Sequence, residues 1–233
     1  MNDCGRCAVR ESAICHSLNE SELDALNALG RHQTLKRGQT MVWQGDESLL
    51  VGNVIEGVLK LSVSGADGRE QTLGIMFPSD FIGRPFGPKT DHSVVALTDA
   101  QVCTFRRSAF DEFARGHPEL EHSLLQRTLT ELDRTRQWML LLGRKAATAR
   151  VATFLLEMSS RYATNCNDGA STAPISFDLP LSRQDIADLL GLTIETVSRQ
   201  ITHLREDGII ETPNRRTIVV LDSGRLQARA SEV

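Results

Sequence analysis

The sequence predicts an α+β chain in which a β-roll comes first, one long helix follows and a winged helix-turn-helix comes last. Three observations lead to this fold class: glycine-rich β runs between residues 31 and 107, a glycine-poor helical composition after Pro118, and two short helical patterns joined at Gly191. We therefore divide the chain into residues 1–17, a cysteine-rich segment; 18–118, the β-roll; 119–143, the long helix; and 144–233, the winged helix-turn-helix.

Charge and composition limit the classes of protein to consider. The 233 residues include 26 Lys and Arg against 30 Asp and Glu, a net charge of −4. This excludes a polycation that coats nucleic acid over its whole surface, so any nucleic-acid binding must be local. The longest apolar run, Trp138–Leu142, falls far short of the roughly 20 residues of a membrane span. We expect a cytoplasmic chain without membrane contact, because the first residues also lack a signal-peptide pattern.

The first half of the chain reads as one helix followed by short strands. Residues 18–30 are typical of an amphipathic helix opened by Ser21 and Glu22, with an apolar face of Leu23, Leu26 and Leu29. The β-rich runs that follow alternate with glycine turns, which favours a β-roll or barrel. These runs are Thr40–Trp43, Leu50–Ile55, Val58–Val63, Gln71–Phe77, Ser93–Leu97 and Gln101–Phe105.

The long helix is predicted over Glu119–Leu142, with a break at Gly143 before a second helical stretch. Along it, one set of residues recurs at alternating spacings of three and four, which is the period of a helix that pairs along a seam. These dimerisation seam residues are Leu125, Thr128, Leu132, Thr135, Met139 and Leu142. The alternative is that this face packs on the chain's own β-roll.

The helix-turn-helix is the most specific pattern in the chain. Ser182 and Asp185 form an N-terminal cap, Gly191 permits a tight turn, and Thr193 begins a second helix. The apolar residues expected to back the second helix are Ile194, Val197 and Ile201. Beyond it, Gly208–Glu211 and Thr217–Leu221 are expected to form the hairpin of a wing.

The outward side of the second helix is suited to the major groove of DNA. Its residues are Glu195, Thr196, Ser198, Arg199 and Thr202. Arg199 can donate two hydrogen bonds to guanine, Glu195 can accept from an amine of cytosine or adenine, and Ser198 can contact thymine or the backbone. The alternative is a helix-turn-helix used only for protein contacts.

Five cysteines mark a second kind of site. Cys4, Cys7 and Cys15 lie before the first helix, and Cys103 lies in a predicted strand. In a reducing compartment, clustered thiols are metal-binding or redox-active more often than disulfide-bonded. Four thiolates are the number that holds a cubane iron–sulfur cluster, although the spacing could equally serve zinc or be incidental. We expect Cys166 to be a bystander.

No P-loop, Gly-x-Gly-x-x-Gly or nucleophile elbow is present, and we expect no enzymatic activity.

From Leu18 to Leu221 this assembly resembles the CRP/FNR family of bacterial transcription regulators, which have a cyclic-nucleotide-binding-domain-like β-roll, a dimerisation helix and a winged helix-turn-helix. The stretch Leu192–Arg199 is similar to the FNR recognition helix, whose Glu-x-x-Ser-Arg pattern is matched by Glu195, Ser198 and Arg199. The resemblance implies a homodimer that binds double-stranded DNA at TTGAT-like inverted repeats.

The cysteines resemble those of the FNR oxygen sensors, which ligate a [4Fe–4S] cluster through three N-terminal cysteines and one in the β-roll. The resemblance assigns these roles to Cys4, Cys7, Cys15 and Cys103, and the seven-residue second gap resembles the FnrN/FnrL-type subgroup. It implies an oxygen-responsive regulator of anaerobic genes, mainly an activator. It also implies a contact with RNA polymerase, for which the predicted hairpin Ser64–Glu70 is the candidate.

Two further expectations concern the signal. In cyclic-nucleotide-binding relatives a Glu and an Arg-Ser pair hold the ligand, but here Arg84 replaces the Glu and His92 precedes Ser93 where the Arg would be. Because a phosphate would lose its bidentate partner, we expect no cyclic AMP. The alternative to the oxygen sensor is a cluster-free regulator of the same family that responds to a small ligand, haem or thiol redox state.

Overall fold

The computed structural model describes residues 4–68, 70–87, 89–163 and 174–232. The chain forms two compact units, one up to Asp133 and one from Arg134 onward. Cys166 lies outside the described residues, so its predicted bystander role stays a prediction.

The first unit is built on two four-stranded antiparallel sheets with the orders β1-β8-β3-β6 and β2-β7-β4-β5. Its core contains apolar residues from both sheets, among them Val54, Leu59, Ile82 and Val102. This architecture confirms the predicted β-roll. The strands are β1 (Gly30–Leu35), β2 (Thr40–Val42), β3 (Leu50–Glu56), β4 (Leu59–Ser64), β5 (Glu70–Met76), β6 (Phe81–Ile82), β7 (Ser93–Ala96) and β8 (Ala100–Arg106).

The helices of this unit cover one face of the first sheet. They are two 3₁₀ helices (Cys4–Arg6 and Ile14–Ser17), α1 (Glu20–Leu29), α2 (Arg107–Arg115) and the first part of α3 (Pro118–Arg144). An apolar cluster joins them to β3 and β8, and it includes Ile14, Leu26, Val51, Cys103, Phe105, Phe110 and Leu120. The cluster places the cysteine-rich segment against the strand that carries Cys103.

Helix α1 differs from its prediction at both ends. Its cap is Asn19, which exchanges hydrogen bonds with Glu22 in a capping box, and Ser21 lies inside the helix. Leu23 and Leu26 are buried as predicted, but Leu29 is 39% exposed because it is the last residue of the helix. The prediction for Leu29 was therefore wrong.

Helix α3 is continuous from Pro118 to Arg144 and includes Gly143, so the predicted break at Gly143 was wrong. The chain leaves the helix two residues later, at Lys145 and Ala146. Gly143 is the second-last residue of α3, so it costs no more than the roughly 1 kcal/mol of a glycine in a helix interior, which the rest of a long helix offsets. No helix in the described parts of the chain is both long and apolar enough to cross a bilayer.

The second unit confirms the winged helix-turn-helix and adds two elements that the sequence did not reveal, β9 and α7. Its three-stranded antiparallel sheet has the order β10-β11-β9, so the predicted wing hairpin gains a third strand from an earlier part of the chain. The elements are α4 (Ala147–Ala163), β9 (Ile175–Asp178), α5 (Arg183–Leu190), α6 (Ile194–Glu206), β10 (Ile210–Glu211), β11 (Thr217–Val220) and α7 (Ser223–Ala230).

Candidate DNA-binding surface and candidate cysteine centre

The turn between α5 and α6 is fixed by local hydrogen bonds. The Asp185 N–H donates to the Ser182 hydroxyl (3.1 Å), and the Asp185 carboxylate accepts from the Ser182 N–H (2.9 Å). Gly191 ends α5 at φ 60°, a left-handed conformation that glycine adopts without strain. Thr193 then caps α6 by accepting from the Thr196 N–H (3.2 Å). The direction in which α6 leaves the turn is therefore set by residues next to it in sequence.

The inner face of α6 is buried and its outer face is exposed. Val197 and Ile201 belong to the core, and the Gln200 side chain accepts a hydrogen bond from the Thr148 hydroxyl of α4 (2.7 Å). Ile194 was predicted to back the helix, but it is 38% exposed because it lies at the first position of α6. That part of the prediction was wrong.

The three predicted DNA-reading residues, Glu195, Ser198 and Arg199, lie on the exposed face of α6. Hydrogen bonds from its own backbone N–H and from Thr193 lower the pKa of the Glu195 carboxyl. Glu195 is therefore ionised and accepts hydrogen bonds only. The surface thus presents one fixed acceptor and the guanidinium of Arg199, the pair of groups that can distinguish base edges in a major groove.

Two of the four predicted cysteines, Cys15 and Cys103, meet at one apolar cluster on the first sheet, and Cys4 and Cys7 lie near enough for their charges to influence Cys103. Cys103, in β8, is 9% exposed and belongs to the same apolar cluster that Cys15 packs against. Cys4 and Cys7 are linked by a hydrogen bond from the Cys7 N–H to the Cys4 carbonyl (3.4 Å), and the Cys4 thiol donates to the Asn27 side-chain oxygen (3.2 Å).

The pKa values of two thiols, Cys103 and Cys15, depend on burial and on the charges of the other cysteines. Burial raises the pKa of the Cys103 thiol to about 12, and the charges of Cys4, Cys7 and Cys15 add to the rise. Burial also raises the pKa of Cys15, to which the Cys7 charge contributes. In the metal-free chain the thiols of Cys103 and Cys15 are therefore protonated at neutral pH. Within the described residues, no three His, Cys, Asp or Glu side chains lie close enough together to hold a metal ion.

An asparagine beside Cys103 was missed from the sequence. Asn53 lies directly opposite Cys103 in the β3–β8 ladder, and is 4% exposed. Its side-chain oxygen is buried and has no hydrogen-bond partner. The available signal was a single amide within the apolar run Leu50–Ile55, which by itself does not say which face the amide occupies.

The loop that holds cyclic nucleotides in relatives is tied to α2 here. The Phe86 N–H donates to the buried Asp111 carboxylate (3.3 Å), and the Gly87 carbonyl accepts from Arg107. Arg84 is exposed and lies 4.0 Å from the Asp91 carboxylate. Burial lowers the pKa of His92, so this side chain is mostly neutral at pH 7. Neither Arg84 nor His92 is therefore a buried cation that could bind an anion in this loop.

Five of the six seam residues of α3 are exposed in the single chain. Leu125, Leu132 and Met139 are exposed, with Met139 at 69%, and Leu142 is half-buried. Thr128 and Thr135 are exposed, and the Thr128 hydroxyl donates to the Leu124 carbonyl of its own helix (2.8 Å). Such a row of exposed apolar side chains is typical of a helix with a partner, but the seam itself stays a prediction.

Known proteins resemble this chain over its whole length. The Crp-like helix-turn-helix domain matches residues 149–229, and the cyclic nucleotide-binding domain matches residues 32–117. The transcriptional activator protein FnrL of Cereibacter sphaeroides is 40% identical over 232 residues, which cover 100% of this chain and 93% of FnrL. The nitrogen fixation regulation protein FixK of Bradyrhizobium diazoefficiens is 38% identical over 228 residues, covering 98% of this chain and 94% of FixK.

Among solved structures, that of FixK2 from Bradyrhizobium japonicum has a TM-score of 0.78 at 31% identity, and the match covers 88% of this chain and 98% of that one. The shared order of β-roll, long helix and winged helix-turn-helix agrees with the sequence similarity. The chain therefore belongs to the CRP/FNR family of DNA-binding transcription regulators.

Proposed function

We propose that this chain is an oxygen-responsive transcription activator. In the proposal, Cys4, Cys7, Cys15 and Cys103 hold a [4Fe–4S] cluster when oxygen is absent, and the chain then binds TTGAT-like inverted repeats as a homodimer. The observation that supports the proposal is the packing of Cys15 against the cluster that contains Cys103, together with the influence of the Cys4, Cys7 and Cys15 charges on the buried Cys103 thiol.

The donor set supports an iron–sulfur cluster. Four thiolates are the complement that such clusters require, and the chain offers Cys15 and Cys103 at one apolar cluster with Cys4 and Cys7 in the segment that leads to it. A bound iron–sulfur cluster would supply a centre that oxygen can destroy. The chain's part is to hold the segment Cys4–Cys15 against β8 and to limit solvent at Cys103, which is the most buried of the four.

The DNA half of the proposal rests on α6. Arg199 would donate to the O6 and N7 of the guanine in a TTGAT-like half-site, while Glu195 accepts from an exocyclic amine and Ser198 contacts a thymine or the backbone. Two recognition helices held about one turn of DNA apart require a dimer, and pairing along the seam of α3 would supply it. For RNA polymerase, we propose the β4–β5 hairpin around residues 64–70 as the contact, by family resemblance.

The proposal is tested by anaerobic purification of the full chain. We expect a brown protein with about four irons and four sulfides per chain, and loss of both in Cys103→Ala. The matched control is Cys166→Ala, which should keep iron and colour. A colourless chain without iron would refute the cluster and favour the cluster-free regulator, and zinc in place of iron would identify a structural metal.

A further inference from the structure

One arginine of α3 joins the cysteine-rich segment to the body of the first unit. The Arg127 guanidinium donates through Nη1 to the Ser79 carbonyl (2.8 Å) and through Nη2 to the Ser12 carbonyl. Ser12 lies between Cys7 and Cys15, and Ser79 lies in the turn between β5 and β6. A single planar group thus connects three parts of the chain that are far apart in sequence.

The position of Arg127 on α3 gives this contact its importance. Leu120 is fully buried in the apolar cluster and Leu124 packs against it, and Arg127 lies one turn further along the same face. Its neighbours in sequence include Leu125 and Thr128, which belong to the seam. Arg127 therefore lies at the boundary between two faces of α3, the face that contacts the β-roll and the exposed face on which the seam begins.

Both carbonyls belong to turns between regular elements. Ser79 has φ 77°, a left-handed conformation that is unfavourable for a residue with a side chain, and its own N–H donates to the Val54 carbonyl (2.8 Å). The segment that contains Ser12 is a turn in which the N–H groups of Ser12 and Ala13 both donate to the Val9 carbonyl (3.1 and 2.7 Å). A rigid fork with two donors fits two such carbonyls, whereas a lysine offers a single ammonium.

We propose that Arg127 is a positioning residue that couples the Cys7–Cys15 segment to the dimerisation helix. When the conformation of that segment changes, the Ser12 carbonyl moves. Because Arg127 is hydrogen-bonded to this carbonyl, its side chain moves too and alters the part of α3 that carries Leu125 and Thr128. The inference deepens the proposed function, on which it rests for the identity of the signal. The two hydrogen bonds of Arg127, to the Ser79 and Ser12 carbonyls, are the observations that carry it.

The first experiment needs no metal. Amide hydrogen exchange is compared in metal-free wild type, Arg127→Lys, Arg127→Gln and the control Arg115→Gln, which removes an exposed charge from α2. We expect both Arg127 variants to exchange on the order of tenfold faster at residues 8–14 and at 79–81, since these segments lose their anchor. The control should match wild type. Unchanged exchange in both variants would overturn the inference, and Arg127→Lys keeps this test open if Arg127→Gln fails to fold.

The second experiment measures coupling. Sedimentation velocity gives the dimer dissociation constant with and without anaerobically reconstituted iron and sulfide. The coupling is the dimer dissociation constant without iron and sulfide divided by the constant with them. We expect this ratio to be large for wild type and for Arg115→Gln, and near one for Arg127→Gln even though the iron content of Arg127→Gln is normal. An Arg127→Gln ratio equal to that of wild type would overturn the coupling. If wild type itself binds no iron, the proposed function fails, and the exchange experiment still decides whether Arg127 anchors the segment.

Discussion

Arg150 donates a hydrogen bond of 3.0 Å to the carbonyl of Leu190, the last residue of α5. The same guanidinium donates to the carbonyls of Leu142 (2.7 Å), in the last turn of α3, and Lys145 (2.9 Å), in the link to α4. The last carbonyls of a helix have no partner within it, so they need donors from elsewhere. One side chain therefore satisfies the ends of two helices and ties the end of the long helix to the helix-turn-helix.

Replacing this side chain should be costly. Arg150→Met keeps most of the apolar stem but leaves three carbonyls without their donor, and we expect the free energy of unfolding to fall by about 2–4 kcal/mol. Urea unfolding followed by circular dichroism measures the loss. The control is Arg225→Met, which alters an exposed arginine of α7 and should stay within about 0.5 kcal/mol of wild type. Equal stability of the two variants would contradict the role of Arg150.

Replacing Asn53 should raise the free energy of unfolding instead of lowering it. Its buried side-chain oxygen has no partner, and leaving such a group unpaired costs about 1–3 kcal/mol. Leucine has the same number of side-chain heavy atoms and the same branching at Cγ but no polar atom, so Asn53→Leu should raise the stability of the metal-free chain by about 1 kcal/mol. Thermal unfolding in the absence of iron checks this. Gln101→Leu, an exposed substitution in β8, should give no gain, and a destabilised Asn53→Leu variant would show that the amide has a partner in solution.

The buried thiol predicts a dependence on pH. Burial, followed by the charges of the other three cysteines, raises the pKa of Cys103 from 9.0 to about 12. Above pH 9 the unfolded chain releases this proton while the folded chain keeps it, so stability that is complete below pH 9 is lost as the pH rises toward 12. Relative to Cys103→Ala, the metal-free wild type should lose about 1.4 kcal/mol more between pH 8 and pH 10. Parallel urea titrations at the two pH values test it, and identical pH dependence in the two proteins would mean that Cys103 is exposed in solution.

The parts of this molecule that the sequence predicts well are those whose signals are local. Ser182, Asp185, Gly191 and Thr193 act on backbone groups within a few residues of themselves, so the helix-turn-helix could be placed almost to the residue. Strand β1 could not, because Gly30–Leu35 is a mostly polar edge strand whose partner, β8, lies some 70 residues away.

Part of the candidate cysteine centre could likewise be predicted from the sequence, and part could not. The spacing of Cys4, Cys7 and Cys15 is visible in the sequence, and the β pattern around Cys103 predicted a strand. The contacts of Arg127 with two distant carbonyls have no sequence signature, because any backbone carbonyl can accept and only the fold brings these two within reach.

Arg199 should carry base recognition. Arg199→Ala removes a two-point contact with guanine, and we expect specific binding to weaken by about 1–3 kcal/mol with relaxed discrimination at that base. Gel shifts compare a TTGAT-like site with one in which the guanine is replaced. The control is Arg205→Ala, which removes an exposed arginine from the last turn of α6 and should weaken both sites equally. An equal loss on both sites for Arg199→Ala would contradict direct readout.

The threonines of the seam bear on how dimerisation could depend on a signal. An all-leucine seam would pair regardless of the state of the sensor, whereas two exposed threonines, Thr128 and Thr135, weaken the apolar stripe. Thr135→Leu should therefore strengthen pairing by about 1–3 kcal/mol per dimer and give a dimer that persists in air. Sedimentation velocity with and without oxygen measures this, and Thr130→Leu, an exposed α3 substitution away from the seam, should behave as wild type. If Thr135→Leu were as monomeric in air as wild type, then Thr135 would not face the partner helix, and the pairing surface would have to lie on another side of α3.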